Sequence, residues 1–285
     1  MMVQGERPSL FFSGRIRGWT WAHRFSQAAF LALLLISARF DLEWVQGNTA
    51  ATRLLGVLHL VDPLSALEVA LAGRHLPFGL LAAAGILFLL YALLGRAFCG
   101  WVCPLGLALD LTEDARRRFI TKRSGKRLPR QIKYVLLAVF LLISFLSGMP
   151  VFTFISPINI LTRNVIFGMG PEIALVLAVV AFDLFYARRA WCRSLCPLGA
   201  FYSLIGRFAF LRVRIRNRGA GCTTCGSCIR ECPMGINVLK DDVLPGHTMV
   251  SDPECTRCGT CLEGCEGGSL FIGFARREKG GASAV

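Results

Sequence analysis

All twelve cysteines of this 285-residue chain fall into four motifs, and none is left over. Cys222, Cys225, Cys228 and Cys232, followed by Pro233, form C-x2-C-x2-C-x3-C-P, and Cys255, Cys258, Cys261 and Cys265 repeat the spacing 33 residues later. This is the run of bacterial two-cluster ferredoxins: three close thiolates wrap three corners of a 4Fe-4S cubane, and the fourth reaches the neighbouring cluster. The expected sets are therefore Cys222, Cys225, Cys228 and Cys265 for one cluster, and Cys255, Cys258, Cys261 and Cys232 for the other. Zinc also uses C-x2-C pairs, but two doubled runs at ferredoxin spacing fit it poorly. Glu266 stands where the first run has proline, which removes a turn constraint and no ligand.

The remaining cysteines form two C-x3-C-P motifs, Cys99 with Cys103 and Cys192 with Cys196. At i,i+4 each pair can share one helical face. The chemistry open to them is a shared redox site, either an additional metal or cluster site or two redox-active dithiols. The plainer alternative is that they pack as small apolar side chains. Duplication favours function, because Arg96–Gly106 reappears as Arg189–Gly199 with seven of eleven positions identical. Upstream, Asp62-Pro63-Leu64 and Ser156-Pro157-Ile158 precede the next cysteine by 36 and 35 residues, counted from the proline. Each half thus reads as helix, loop, helix, cysteine pair, and parallel repeats of this kind bring equivalent residues face to face.

The elements that must position these motifs are apolar. Hydrophobic residues make up 54% of the chain, too many for a soluble domain of this length. Phe25–Phe40, Phe78–Gly95, Ile132–Gly148 and Ile173–Ala187 read as four transmembrane helices, each near the lower length for a bilayer span. The expected fold is a mainly α polytopic membrane protein, its four transmembrane helices arranged as two helix-pair repeats over residues 1–210. A cytoplasmic two-cluster bacterial ferredoxin-like domain follows over residues 211–285. Ten Lys or Arg lie between Arg96 and Lys133, against Arg163 alone between Pro150 and Pro171. The positive-inside rule then places both termini, the central loop and the clusters on the cytoplasmic side of a bacterial inner membrane. No small-residue cleavage site follows Phe40, so the first apolar run reads as a retained helix rather than a signal peptide.

A net charge of +14 also raises nucleic acid as a partner, but the basic residues flank apolar runs and no aromatics interleave them. Membrane lipid is the better partner, with Arg116, Arg117, Arg118, Lys122, Arg123, Lys126 and Arg127 as its anchor. Polar residues in the loops opposite, Asn48, His59, Asp62 and Asn159, are candidate contacts for a quinone, set against the ordinary roles of helix capping and solvation.

Taken together, Gly47-Asn48, Asp62-Pro63-Leu64, the two C-x3-C-P motifs with Trp101 and Trp191, and the two ferredoxin runs resemble the NapH/MauN family of ferredoxin-type membrane proteins. The resemblance spans nearly the whole chain. It implies four transmembrane helices and a quinol dehydrogenase component that takes electrons from the quinone pool. It also implies a periplasmic iron–sulfur protein as partner, relaying electrons to a respiratory nitrate reductase or a methylamine-oxidising system. A different class of function uses the same cysteines: a maturation or metal-handling factor, for instance a copper reductase, since thiolates favour Cu(I).

Overall fold

A computed structural model describes residues 18–40, 45–47, 51–54, 58–74, 78–119, 128–168, 170–216, 222–265 and 267–274. The first half of the repeat contains α1 (Gly18–Arg39), a small antiparallel sheet of β1 (Val45–Gly47), β2 (Ala51–Leu54) and β3 (Leu58–Val61), then α2 (Pro63–Gly73), α3 (Phe78–Leu94), α4 (Ala97–Trp101) and α5 (Pro104–Phe119). The second contains α6 (Ile132–Ser147), α7 (Val151–Ile155), α8 (Pro157–Phe167), α9 (Ile173–Phe185), a π turn at Trp191–Leu195 and α10 (Pro197–Ile205).

The duplicated Asp/Ser-Pro elements start helices. Asp62 Oδ2 accepts from the amides of Leu64 and Ser65, both at 3.1 Å, and Pro63 occupies the first helical position, where its missing N–H costs nothing. Pro157 likewise takes the first position of α8 after Ser156, whose side chain makes no capping bond. The Asp62 carboxylate also accepts the hydroxyl of buried Tyr202 from α10, so the cap of a first-half helix is tied to a helix of the second half. Buried Glu68 makes a second link of this kind, accepting from Ser144 Oγ at 2.9 Å and from the Phe152 and Thr153 amides at 3.0 Å.

The halves interlock rather than standing side by side. α6 packs on α2 and α1 on α8, while α5 packs on α9 and α10 on α3. Their shared core includes Leu64, Tyr91, Phe98, Leu105, Ile158, Tyr202, Cys103 and Cys196.

Among the described residues no helix is long and apolar enough to cross a membrane. α1 has 22 residues but contains His23, Arg24 and Gln27, and the strongly apolar α3, α6 and α9 have 17, 16 and 13. Left-handed glycines end two of them early: Gly95 after α3 and Gly148 after α6, each at φ 70°.

The tail begins where β4 (Leu211–Ile215) pairs with β5 (Leu270–Phe274), so the tail's last described strand closes on its first, with α11 (Ser227–Glu231) and α12 (Thr260–Glu263) between them. Val213, Ile215, Met234, Ile236, Val250 and Leu270 form its separate core. Arg212, Arg214 and Arg216 alternate with these inward residues, which is the period of a strand with one buried face.

Candidate iron–sulfur and dithiol site

Neither C-x3-C segment ends as an α-helix. The Cys103 amide donates to Phe98 O at 3.0 Å and the Cys196 amide to Trp191 O at 2.8 Å, an i to i−5 bond in both halves. Proline at the next position is the cause: it disfavours the α region for the cysteine before it, and Cys196 sits at φ −72°, ψ 113°. The chain breaks, and Pro104 and Pro197 begin new helices. The expectation that each pair lies on the end of one long helix is corrected accordingly. Cys99 sits on the short α4, separated from α3 by Gly95 and Arg96, and Cys103 follows it.

The two turns face each other through an exchange of arginines. Arg96, three residues before Cys99, lies against Gly199, three residues after Cys196, where an added Cβ would stand 2.7 Å from Nη2. Arg189, three before Cys192, lies against Gly106, three after Cys103, 3.7 Å by the same measure. The charge of Cys99 bears on Cys196 and that of Cys103 on Cys192. Burial pushes the Cys103 thiol up to about 12 and the Cys196 thiol up to about 11, so unligated they are protonated at neutral pH.

The tail docks at this seam. Glu254, immediately before Cys255, is buried between Arg96 and Lys133, which are themselves 1% and 0% exposed. The Tyr134 hydroxyl donates to its other oxygen at 3.0 Å. Burial alone would raise the Glu254 pKa, but the two cations override it and hold the carboxyl below its ordinary range. Around it, Arg130 pairs with Asp252 at 2.7 Å, Trp101 Nε1 donates to Arg257 O at 3.2 Å, and the Thr20 amide donates to Glu263 at 2.9 Å. On the other side of the pseudo-twofold, Arg189 holds Asp110 with bonds of 2.6 and 3.1 Å, and His23 Nε2 lies 3.4 Å from the same carboxylate.

The tail cysteines gather as two sets. Cys228 senses Cys222, Cys225 and Cys265, whereas Cys261 senses Cys255, Cys258 and Cys232 most strongly and Cys228 less. Cys232, Cys255, Cys258 and Cys261 line one cavity, completed by apolar Val213, Met234, Ile236, Val238 and Val250. An all-thiolate set around an apolar cavity suits an iron–sulfur cluster. Among the described residues no three His, Cys, Asp or Glu side chains are placed to hold a single metal ion. A four-iron cluster makes no such demand, since each thiolate takes its own iron. The two sets differ in exposure at one cysteine each, Cys225 exposed and Cys258 buried, and the 252–263 loop carrying Cys258 touches α1, α4 and α6. The set of Cys258 is the inner one and the other is the outer.

Of the residues considered for a quinone, Asp62 is buried as the α2 cap and Asn159 donates to Thr153 O at 3.0 Å. The backbone of His59 lies in β3 opposite Arg53, and Asn48 lies outside the described residues. Lys122, Arg123, Lys126 and Arg127 of the basic loop lie outside them too, while Arg116 pairs with Glu113 at 3.0 Å. Sequence reasoning missed Arg96, Lys133, Arg189 and Glu254. The arginines carried a signal, since they occupy equivalent positions in the repeat, but a lone glutamate beside a cysteine carries none.

A family model described as a 4Fe-4S binding domain matches residues 76–123 and 170–218, and one described as a 4Fe-4S dicluster domain matches residues 221–270. With the cysteine sets above, these define an iron–sulfur electron-transfer protein. The ferredoxin-type protein NapH of Haemophilus influenzae is 38% identical over 76% of this chain and 77% of its own length. The methylamine utilization ferredoxin-type protein MauN of Methylorubrum extorquens is 37% identical over 76% of both. NapH of Escherichia coli is 36% identical over 80% of this chain and 81% of its own. The chain belongs to the NapH/MauN family of ferredoxin-type proteins. No solved structure matches it.

Close backbone approach at Gly100 gives a test of the docked seam. A Cβ there would stand 2.6 Å from Thr256 O, a backbone atom that can only move with its loop. Gly100→Ala is expected to destabilise the docked state by about 1–3 kcal/mol and to expose the 252–263 loop to limited proteolysis. Gly85→Ala, with open space around the added carbon, is expected to change neither.

Proposed function

We propose that this chain is the quinol-oxidising membrane component of an electron-transfer system, passing electrons from a lipid-soluble quinol to an iron–sulfur partner that serves a periplasmic respiratory or amine-oxidising enzyme. The observation that carries the reading is the seam, where the inner cysteine loop rests on the first C-x3-C-P turn. Bound to the two tail sets, 4Fe-4S clusters supply one-electron carriers. The residues of the chain hold and order them: Cys255, Cys258, Cys261 and Cys232 near the helices, then Cys222, Cys225, Cys228 and Cys265 toward solvent. Cys99, Cys103, Cys192 and Cys196, in and against the helical core beside the turn on which the inner loop rests, would serve as the relay between the two.

Membrane insertion is part of the proposal. Its support is the apolar surface of the long helices, with Phe25 75%, Phe78 88%, Leu89 62%, Leu146 68% and Phe185 65% exposed. Large apolar patches of this kind mark a lipid or protein contact. Helices of 13–17 residues span by snorkelling flanks and local bilayer thinning. The basic central loop then faces the cytoplasm with the clusters.

Three measurements test these points. Purified anaerobically, the tail is expected to hold about eight irons; Cys265→Ser is expected to lose the outer cluster, about half of that iron, and to keep the inner one. Cys99→Ser and Cys192→Ser are each expected to leave the tail clusters assembled while abolishing their reduction by a quinol analogue, read by absorbance bleaching. Full reduction in both variants would make these cysteines packing residues. Alkaline phosphatase fused after Val285 is expected to be inactive, and an active fusion reverses the orientation.

A further inference from the structure

The two repeats treat their duplicated arginines differently. Arg189 finds a carboxylate inside the repeat, Asp110, seven residues after Cys103 of the opposite half. The position that answers Asp110 for Arg96 is Ser203, seven residues after Cys196, and it is neutral. Ser203 bonds the Tyr134 hydroxyl at 2.7 Å instead, and the carboxylate comes from the tail as Glu254. Lys133 adds a second cation to the same carboxylate oxygen. Nearby Arg257, also buried, donates to the carbonyls of Leu211, Cys255 and Gly206 and to no carboxylate that the structure records. Asp252 is taken by Arg130 at the rim.

The seam therefore buries more positive than negative charge. Such an imbalance is costly in a dry site unless an anion stands close by. The anion that the fold brings there is the thiolate set of Cys232, Cys255, Cys258 and Cys261 with the cluster it holds, one residue from Glu254.

We propose that Glu254, Arg96 and Lys133 form a charge lock that positions the inner cysteine set on the first C-x3-C-P turn and raises the reduction potential of its cluster above that of the outer one. The proposal rests on the cluster assignment above and is independent of quinol as the electron donor. Reduction adds one electron to the inner cluster and makes or breaks no bond. The added negative charge is met by the surplus of cations where screening is weak. At the outer set Cys225 lies in solvent, and Arg230, which donates to the Cys225 carbonyl at 2.8 Å, is exposed there and screened by water. Glu254 is a positioning residue whose own negative charge moderates the effect.

The test is a redox titration of the full-length protein with dithionite and mediators, followed by electron paramagnetic resonance. Two one-electron steps are expected, and substitutions at the lock are expected to move only the higher. Glu254→Gln keeps size and deletes a negative charge, so at fixed potential the reduced-to-oxidised ratio rises about tenfold, equivalent to about 59 mV for a one-electron couple. Lys133→Gln deletes a positive charge and shifts the same step by a similar amount the other way, while Lys133→Arg restores it. Loosening of the seam would move both glutamine variants in the same direction. That result, or no shift in either, overturns the lock. A wild-type protein with no two-step iron–sulfur signal overturns instead the cluster assignment beneath it.

Discussion

Three charged side chains buried against one another hold the tail to the helices. Glu254, Arg96 and Lys133 come from the inner cysteine loop, the break between α3 and α4, and the first turn of α6, so the cluster binds the tail and both halves at one point. Removing water from three charges costs several kcal/mol per ion, and their mutual attraction recovers that only when geometry is good. Such a contact adds little net stability compared with apolar packing. What it adds is register: breaking one partner strands a buried charge, at about 3–5 kcal/mol, so a tail docked one residue out of place is strongly disfavoured. A relay needs that restriction, because distance between carriers is fixed by where the loop sits.

Duplication explains why such a seam exists. A repeat with its arginine three residues before the cysteine pair makes two equivalent turns, each reaching across to the glycine of the other motif. Perfect symmetry would give two equal docking sites for one tail. Asp110 closes one by satisfying Arg189 internally, and neutral Ser203 leaves the other open for a carboxylate from outside. At the seam the charge asymmetry comes from a single polar position on the helix after each motif, Asp110 against Ser203. The rest of the interlock, α6 on α2 and α1 on α8, stays matched.

How much of this the chain announces depends on the range of the interactions. The ferredoxin runs are legible because their chemistry is local, with three ligands on one loop, and the meeting of the two C-x3-C-P turns is legible because the repeat is. The π geometry of those turns is not: it comes from proline acting on the cysteine before it, within a segment whose composition reads as ordinary helix. Helix ends, by contrast, were legible: the apolar runs stop at Gly95 and Gly148, the left-handed glycines that follow α3 and α6. Asp62 was read as a possible quinone contact alongside its capping role, and capping is what it does, because its neighbour across the core is Tyr202, 140 positions away. Glu254 was invisible because pairing at a separation of 158 residues leaves no local trace.

The outer end of the proposed route meets solvent and its interior holds buried thiols, and that difference shapes the electrostatics. Cys225 meets solvent, Cys258 is 8% exposed, and Cys103 and Cys196 are 4% and 6%. Solvent screens charge at the outer end, so the outer set is tuned by water and by whatever docks there. Inward, the screening fades and fixed groups take over, among them the buried Arg257, Arg96 and Arg189. Each is an arginine, whose guanidinium stays charged in a buried site where lysine loses its proton more readily. A set of permanent cations holds a negative carrier in the dry region without water having to reorganise around it. The same cations keep the interior from closing as a purely apolar core, which is why the motifs that carry them also carry the glycines that make room.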